Sequence, residues 1–359
     1  MIRVLVVDDS PLARKVTTEA LQRDPGIQVV GTAPNAELAL RRVESLRPDV
    51  ITMDLEMPGM SGLEAIQRIM RRAPTPIVVL SAFARGGAEA TVQALELGAV
   101  SCLAKPGGAG SGRTAEIGAE LIAAVREAHQ VRHEVLAAQH SFSPRDSEAR
   151  ASAGTLAAGQ RRCRVVAIGA SAGGPAALAE VLAALPEGFP APVLVAQHMP
   201  AVFTAAFARR LDSFCRVRVR EAREGDELAA GRVLLAPGGL HLTVSRRTDR
   251  RVVARLDSSE AVNGHRPSVD VLASSVAACF GRRALGVIMT GMGRDGARGF
   301  ARLRAQGGLV LAQDEATSAI YGMNRAVIDN GDADEVLPLG AIAARLGELC
   351  ALAAKEQEQ

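Results

Sequence analysis

Over its first hundred or so residues the chain alternates short, β-branched apolar runs with amphipathic stretches of helical spacing. IRVLVV is followed by PLARKVTTEALQRD, IQVVGTA by NAELALRRVESLR, and DVITMD by SGLEAIQRIMRR. PIVVLSA, GAEATVQALELG and AVSCLAK continue the alternation. Strands that read as continuous apolar runs, each followed by a helix, predict a parallel sheet buried on both faces. The expected fold over residues 1–125 is a five-stranded doubly wound α/β domain.

The pattern then changes. GGAGSG punctuates it, and AEIGAELIAAVREAHQVRHEVLAA predicts a helix that closes the first domain and runs into a linker over residues 126–162. SFSPRDSEARASAGTLAAGQRR is small, polar and unpatterned, and is expected to be flexible. A second doubly wound α/β pattern occupies residues 163–353, with strands expected at RVVAIGA, PVLVAQH, LGVIMT and LVLAQD. A β-rich insertion lies between the second and third of these, and the terminal KEQEQ is expected to fray.

Composition narrows the function classes. A length of 359 residues suits two domains and a linker. One Tyr and no Trp leave no stacking platform for bases, and a net charge of +3 from scattered residues gives no basic footprint, so no nucleic-acid partner is expected. The five cysteines (102, 163, 215, 279 and 350) include no CxxC pair, which disfavours a disulfide framework or zinc site. MIRVLVVDDS is unlike a secretory signal and no apolar stretch reaches membrane-spanning length, so a cytoplasmic protein without direct membrane insertion is expected.

The first domain carries an acidic constellation. Asp8 and Asp9 end its first strand, Asp54 the third, Ser81 the fourth and Lys105 the fifth, and in a doubly wound sheet these ends share one edge. Three carboxylates there repel one another unless a hard cation joins them, and Mg²⁺ suits oxygen ligands. Lys105, one of three lysines in a chain whose positive charge is otherwise arginine, can pair with a phosphoryl group, and Ser81 can hydrogen-bond to one. VLVVDDSPLAR, MDLEMPGMSGLEA, VVLSA and AKP resemble a response-regulator receiver domain. The resemblance implies Asp54 as phosphoacceptor, Mg²⁺ bound by Asp9, Asp54 and the Glu56 carbonyl, and Asp8 acting through water. One departure stands out: receivers carry Tyr or Phe three residues before the lysine, where this chain has Cys102.

The second domain ends three apolar runs with residues that acyl hydrolysis uses: Ser171 in IGASAGGP, His198 in VAQHMP and Asp295 in MTGMGRDG. They can act as nucleophile, general base and orienting acid if the strand ends converge. Each also has a plainer reading. GASAGG can be a phosphate or dinucleotide loop, although it lacks GxGxxG spacing. His198 can be structural, and Asp295 can be the N-cap of a helix at ARGFARLRA. His241 is expected in a β-turn and His265 just before a helix. The backbone N–H of Met292, in the same bend as Asp295, is an expected oxyanion donor.

IGASAGGP, QHMPAVFT, APGGLHL, NGHRPSVDVL and MTGMGRDGARG together resemble, in order, the catalytic domain of the chemotaxis protein-glutamate methylesterase (CheB) family. The resemblance implies a phosphorylation-regulated hydrolase that removes methyl esters from glutamates of chemoreceptors and deamidates specific glutamines. It implies Ser171, His198 and Asp295 as the triad, no cofactor for hydrolysis, a methyl-accepting chemoreceptor as substrate and a chemotaxis histidine kinase as phosphodonor. Ala172 departs from the pattern, standing where many members have Thr or Ser. Two other classes stay open on the residues alone: a response regulator whose second domain binds a dinucleotide or phosphate ligand without hydrolysis, and a scaffold whose output is protein binding only.

Overall fold

The computed structural model describes residues 1–81, 85–105, 113–131, 163–249 and 251–351. The chain divides into two compact units, Met1–Ser141 and Phe142–Gln359.

The first unit is built from β1 (Ile2–Val7), α1 (Pro11–Leu21), β2 (Ile27–Ala33), α2 (Ala36–Leu46), β3 (Val50–Asp54), α3 (Gly62–Arg72), β4 (Ile77–Ser81), α4 (Arg85–Glu96), β5 (Ser101–Ala104) and α5 (Arg113–His129). Its sheet is parallel, in the order β2-β1-β3-β4-β5. Every residue of β3 and β4 is buried, as their unbroken apolar runs require for strands covered on both faces. Side chains set where helices begin: Ser10 accepts from Ala13 N–H, Asn35 from Leu38 N–H and Ser61 from Glu64 N–H. α5 ends at His129, earlier than the expected helix through residue 138. The rest of that segment, most of the expected linker and the KEQEQ terminus lie outside the described residues.

The second unit contains β6 (Val165–Ala170), α6 (Gly174–Ala183), β7 (Val193–Gln197), α7 (Ala201–Asp212), β8 (Arg218–Glu221), β9 (Arg232–Leu235), β10 (His241–Arg246), β11 (Val252–Asp257), α8 (Val269–Phe280), β12 (Ala284–Ile288), α9 (Ala297–Ala305), β13 (Leu309–Gln313), α10 (Met323–Asp329), β14 (Glu335–Leu337) and α11 (Leu339–Ala351). Its main sheet has seven parallel strands, ordered β14-β13-β12-β6-β7-β9-β8. The β-rich stretch expected as an insertion divides in two. β8 and β9 extend the main sheet, whereas β10 and β11 form a separate antiparallel pair. β14 has no counterpart among the expected strands, because Glu335 and Leu337 are only partly buried and Val336 is exposed, which leaves no apolar run.

Connections run one way from β6 through β7 and the other way from β12 through β13 and β14. The reversal lies between β6 and β12, and such switch points leave a crevice beyond the carboxyl ends of the strands. The central strands are wholly buried, and Phe300, Leu303, Val269 and Leu272 pack in the core they help to form.

Candidate active site and phosphoacceptor pocket

Ser171 follows β6 at the switch point and is 7% exposed. Its N–H donates to the Thr290 carbonyl at 3.0 Å, and its own carbonyl accepts from Gly174 N–H at 2.8 Å. Gly173, at φ 71°, then turns the chain into α6 with a left-handed backbone that a side chain would disfavour. On the neighbouring strand Ala170 pairs with Gln197, so Ser171 and His198 follow one register pair. Gln197 locks the two bends together, donating through Nε2 to the carbonyls of Ser171 (2.8 Å) and His198 (2.9 Å).

His198 Nε2 lies 2.8 Å from Asp295 Oδ2. The remaining nitrogen, Nδ1, is buried without a protein partner. Among the described residues no hydrogen bond joins the Ser171 hydroxyl to that nitrogen; His198 and Asp295 are brought into bonding contact, and Ser171 is placed alongside.

Asp295 does not cap the helix that follows it. The N-cap of α9 is Gly296, with no side-chain bond. Asp295 instead caps α8, accepting from Val269 N–H at 2.7 Å and Asp270 N–H at 3.2 Å. Ser268 Oγ donates to it at 2.8 Å and Asn263 Nδ2 at 2.9 Å. Burial would raise this carboxyl. The hydrogen bond and charge of His198 outweigh it, with help from Val269 and Asn263, and hold it well below the ordinary carboxylate range. A carboxylate at a helix N-terminus is further favoured by the amide dipoles. The site therefore sets a carboxyl whose charged form is strongly favoured beside an imidazole.

The amides of Ala172 and Met292 donate to no protein acceptor among the described residues. Gly291, just before Met292, leaves no room for a side chain: a Cβ there would lie 2.5 Å from Met323 Sδ and 2.7 Å from Ser171 Cβ. Gly291→Ala is expected to push Ser171 out of place. A fall of about 10²-fold in turnover is expected for a displacement of this kind. Overpacking should remove about 1–3 kcal/mol of stability, read from urea unfolding.

In the first unit Lys105 Nζ lies 2.8 Å from Asp8 Oδ2 and 2.7 Å from Asp54 Oδ2. Burial raises the Asp54 carboxyl even against the Lys105 hydrogen bond and charge. Lys105 is itself raised: burial opposes its charge, but its bonds to Asp54 and Asp8 prevail. Asp8, Asp9 and Asp54 each offer an oxygen, and these atoms lie within 4.8 Å of one another. Glu56 N–H donates to Asp54 Oδ1 at 3.2 Å, and Ser81 is buried at the same edge. Cys102 is buried and its thiol is pushed up to about 12 by burial, so it behaves as a small apolar side chain.

Residues 166–346 match the CheB methylesterase family model, and residues 4–115 match the response regulator receiver domain. A protein-glutamate methylesterase/protein-glutamine glutaminase of Symbiobacterium thermophilum is 46% identical over 95% of both chains. A Pseudomonas aeruginosa protein of the same name, numbered 2, is 44% identical over 96% of both. The chain belongs to the CheB methylesterase family. The solved catalytic domain of Thermotoga maritima CheB methylesterase is 41% identical, with a TM-score of 0.51, and covers 52% of this chain and 98% of that one. No helix among the described residues is long and apolar enough to cross a membrane.

Several residues that build the site gave little signal in the sequence. Gln197 and Gln313 each close a buried apolar strand at the same sheet edge, a repeated polar ending that marks the site. Gln313 Oε1 accepts from Thr290 N–H at 2.8 Å, and the Thr290 hydroxyl donates to the Ala172 carbonyl at 3.0 Å. His241 is not in a turn; it opens β10, fully buried, with Nδ1 accepting from Ser268 N–H at 3.1 Å. Asn263, Ser268 and Asp270 lie in NGHRPSVD, a segment that local patterning reads only as a helix start.

Proposed function

We propose that the chain hydrolyses γ-methyl esters of glutamyl side chains on chemoreceptors and deamidates selected glutamines there, with Ser171 as nucleophile, His198 as general base and Asp295 as its orienting acid. The supporting observation is the short His198 Nε2–Asp295 Oδ2 contact, which leaves Nδ1 buried without a protein partner on a bend that Gln197 ties to that of Ser171. A neutral imidazole that donates from Nε2 to a carboxylate has its lone pair on Nδ1. The two ring nitrogens thus exchange the places they hold in the serine protease arrangement.

His198 takes the Ser171 proton through Nδ1 as Oγ attacks the γ-carbonyl carbon. Asp295 stabilises the imidazolium that results, and the oxyanion rests on the amides of Ala172 and Met292. The proton returns to the leaving oxygen and methanol departs. Water then attacks the acyl-enzyme through the same base, releasing glutamate. A glutamine side chain follows the same course, with ammonia as the leaving group and a greater demand on protonated His198.

Asp54 is the proposed phosphoacceptor, charged by a chemotaxis histidine kinase, and its phosphorylation raises turnover in the catalytic domain. Three carboxylate oxygens within 4.8 Å of one another are a hard donor set that fits Mg²⁺. Asp8, Asp9 and Asp54, with the Glu56 carbonyl, would hold the ion, which when bound neutralises charge on the entering phosphoryl group. Lys105 and Ser81 would bind phosphoryl oxygens. The protein is proposed to work in the cytoplasm, where the substrate side chains of the receptor bundle lie.

Methanol release from methylated receptor fragments, measured with and without acetyl phosphate, tests both parts. Wild type is expected to release methanol and to be stimulated. Asp54→Asn should keep the unstimulated rate and lose the stimulation. No release by wild type under either condition would remove the hydrolase reading, and stimulation of Asp54→Asn would remove the regulatory one.

A further inference from the structure

The imidazole of His265 lies flat on that of His198, with ring centroids 3.7 Å apart and planes 8° from parallel. His265 comes from the loop between β11 and α8, which is closed by reciprocal backbone bonds between Val262 and His265 at 3.0 and 3.1 Å. Inside that closure Asn263 takes a left-handed backbone, at φ 54°, and donates from Nδ2 to both Asp295 and Asp270. A single loop therefore supplies the ring that covers His198 and the amide that holds its acid.

We propose that His265 is a positioning residue for ester hydrolysis, its ring packed face-on so that His198 keeps Nε2 on Asp295 and Nδ1 turned toward the Ser171 hydroxyl. The inference rests on the triad reading above. An imidazole held at one edge by one hydrogen bond can still rock and turn about its side-chain torsions. A flat contact over its face removes that freedom, because turning would force the two rings through each other. The stack also suits the charge that His198 gains in the reaction, since a neutral π-face tolerates a cation and a second cation would repel it. Burial first, then the charge of His198, bring His265 down to about 4, against the opposing pull of Asp295. His265 is thereby neutral at neutral pH. The charged groups of this corner are Asp295 and, through Asn263, Asp270, which His198 joins when it takes the Ser171 proton; the adjacent Arg266 guanidinium turns to the carbonyls of Ser258 and Ser259, each at 2.8 Å.

The experiment compares full-length His265→Ala, His265→Phe and Ser171→Ala with wild type by steady-state methanol release and by ¹⁵N NMR of histidine-labelled protein. His265→Ala is expected to lower kcat by about 10- to 100-fold with KM little changed, as loss of alignment does. Its His198 signals should change from one tautomer to a mixture. His265→Phe restores a flat ring face and should bring kcat back to within about five-fold of wild type. A folded His265→Ala protein with wild-type kcat and a single His198 tautomer overturns the proposal. So does a folded His265→Phe protein as impaired as His265→Ala, which would assign the role to imidazole chemistry. If His265→Ala does not fold, the phenylalanine variant decides alone. Turnover surviving in Ser171→Ala would instead bring down the triad reading, whereas a dead Ser171→Ala beside an unaffected His265→Ala strikes only the present inference.

Discussion

Ser171→Ala is expected to abolish methanol release, with kcat falling by roughly 10⁴- to 10⁶-fold. The substitution removes the one oxygen able to form the acyl-enzyme, and every other group in the site then acts on water alone. The residual rate reports what the free amides of Ala172 and Met292 contribute by themselves. Stability should hardly change, because among the described residues no protein group hydrogen-bonds to the Ser171 hydroxyl, and the bend is fixed by its backbone bonds to Thr290 and Gly174. Mass spectrometry after mixing with an activated ester should find an acyl adduct on wild type and none on the variant. A variant that retains turnover within ten-fold of wild type, by about 1.4 kcal/mol of barrier, would require a different nucleophile.

Asp295→Asn should be nearly as damaging to activity and, unlike Ser171→Ala, also damaging to the fold. The carboxylate accepts from five groups: His198 Nε2, Val269 N–H, Asp270 N–H, Ser268 Oγ and Asn263 Nδ2. An asparagine must turn its NH₂ toward some of these donors. Facing His198, it drives the imidazole proton onto Nδ1, the nitrogen needed as base, and kcat is expected to fall about 10³- to 10⁴-fold. Facing the α8 amides, it leaves buried donors unpaired at a cost of about 1–3 kcal/mol. The pH dependence has a definite sign. A carboxyl held below its unfolded value stabilises the fold at pH above that value, and the contribution is lost as pH falls through the folded one. Wild type should therefore lose stability as pH falls below about 4, the unfolded aspartate value, along a slope that Asp295→Asn lacks. Urea midpoints at neutral and acid pH check this; parallel curves for the two proteins would show that the fold does not hold Asp295 below its unfolded value.

The candidate site was legible in the sequence where chemistry sits at the end of an apolar run. Ser171, His198, Asp8, Asp54, Ser81 and Lys105 each follow or close such a run, and within each unit the parallel strands bring those ends to one edge of that unit's sheet. Legibility failed where a residue acts across the fold on a partner with no local pattern. Asp295 caps α8, 26 residues before it in the chain, rather than α9 immediately after it. His241 begins a strand although two glycines precede it, because its ring is buried and hydrogen-bonded at both nitrogens, to Ser268 and Glu260.

The buried central strands, the helix starts capped by their own Ser or Asn, and the presence of a nucleophile, a base and acids belong to the sequence by itself, since burial on both faces and side-chain capping act within a few residues. Tertiary structure alone decided which nitrogen of His198 meets Asp295, which ring covers it, and that β8 and β9 lengthen the main sheet. These outcomes depend on distances between segments far apart in the chain. Such distances are set by how close-packed layers settle against one another, a balance no local run of residues contains.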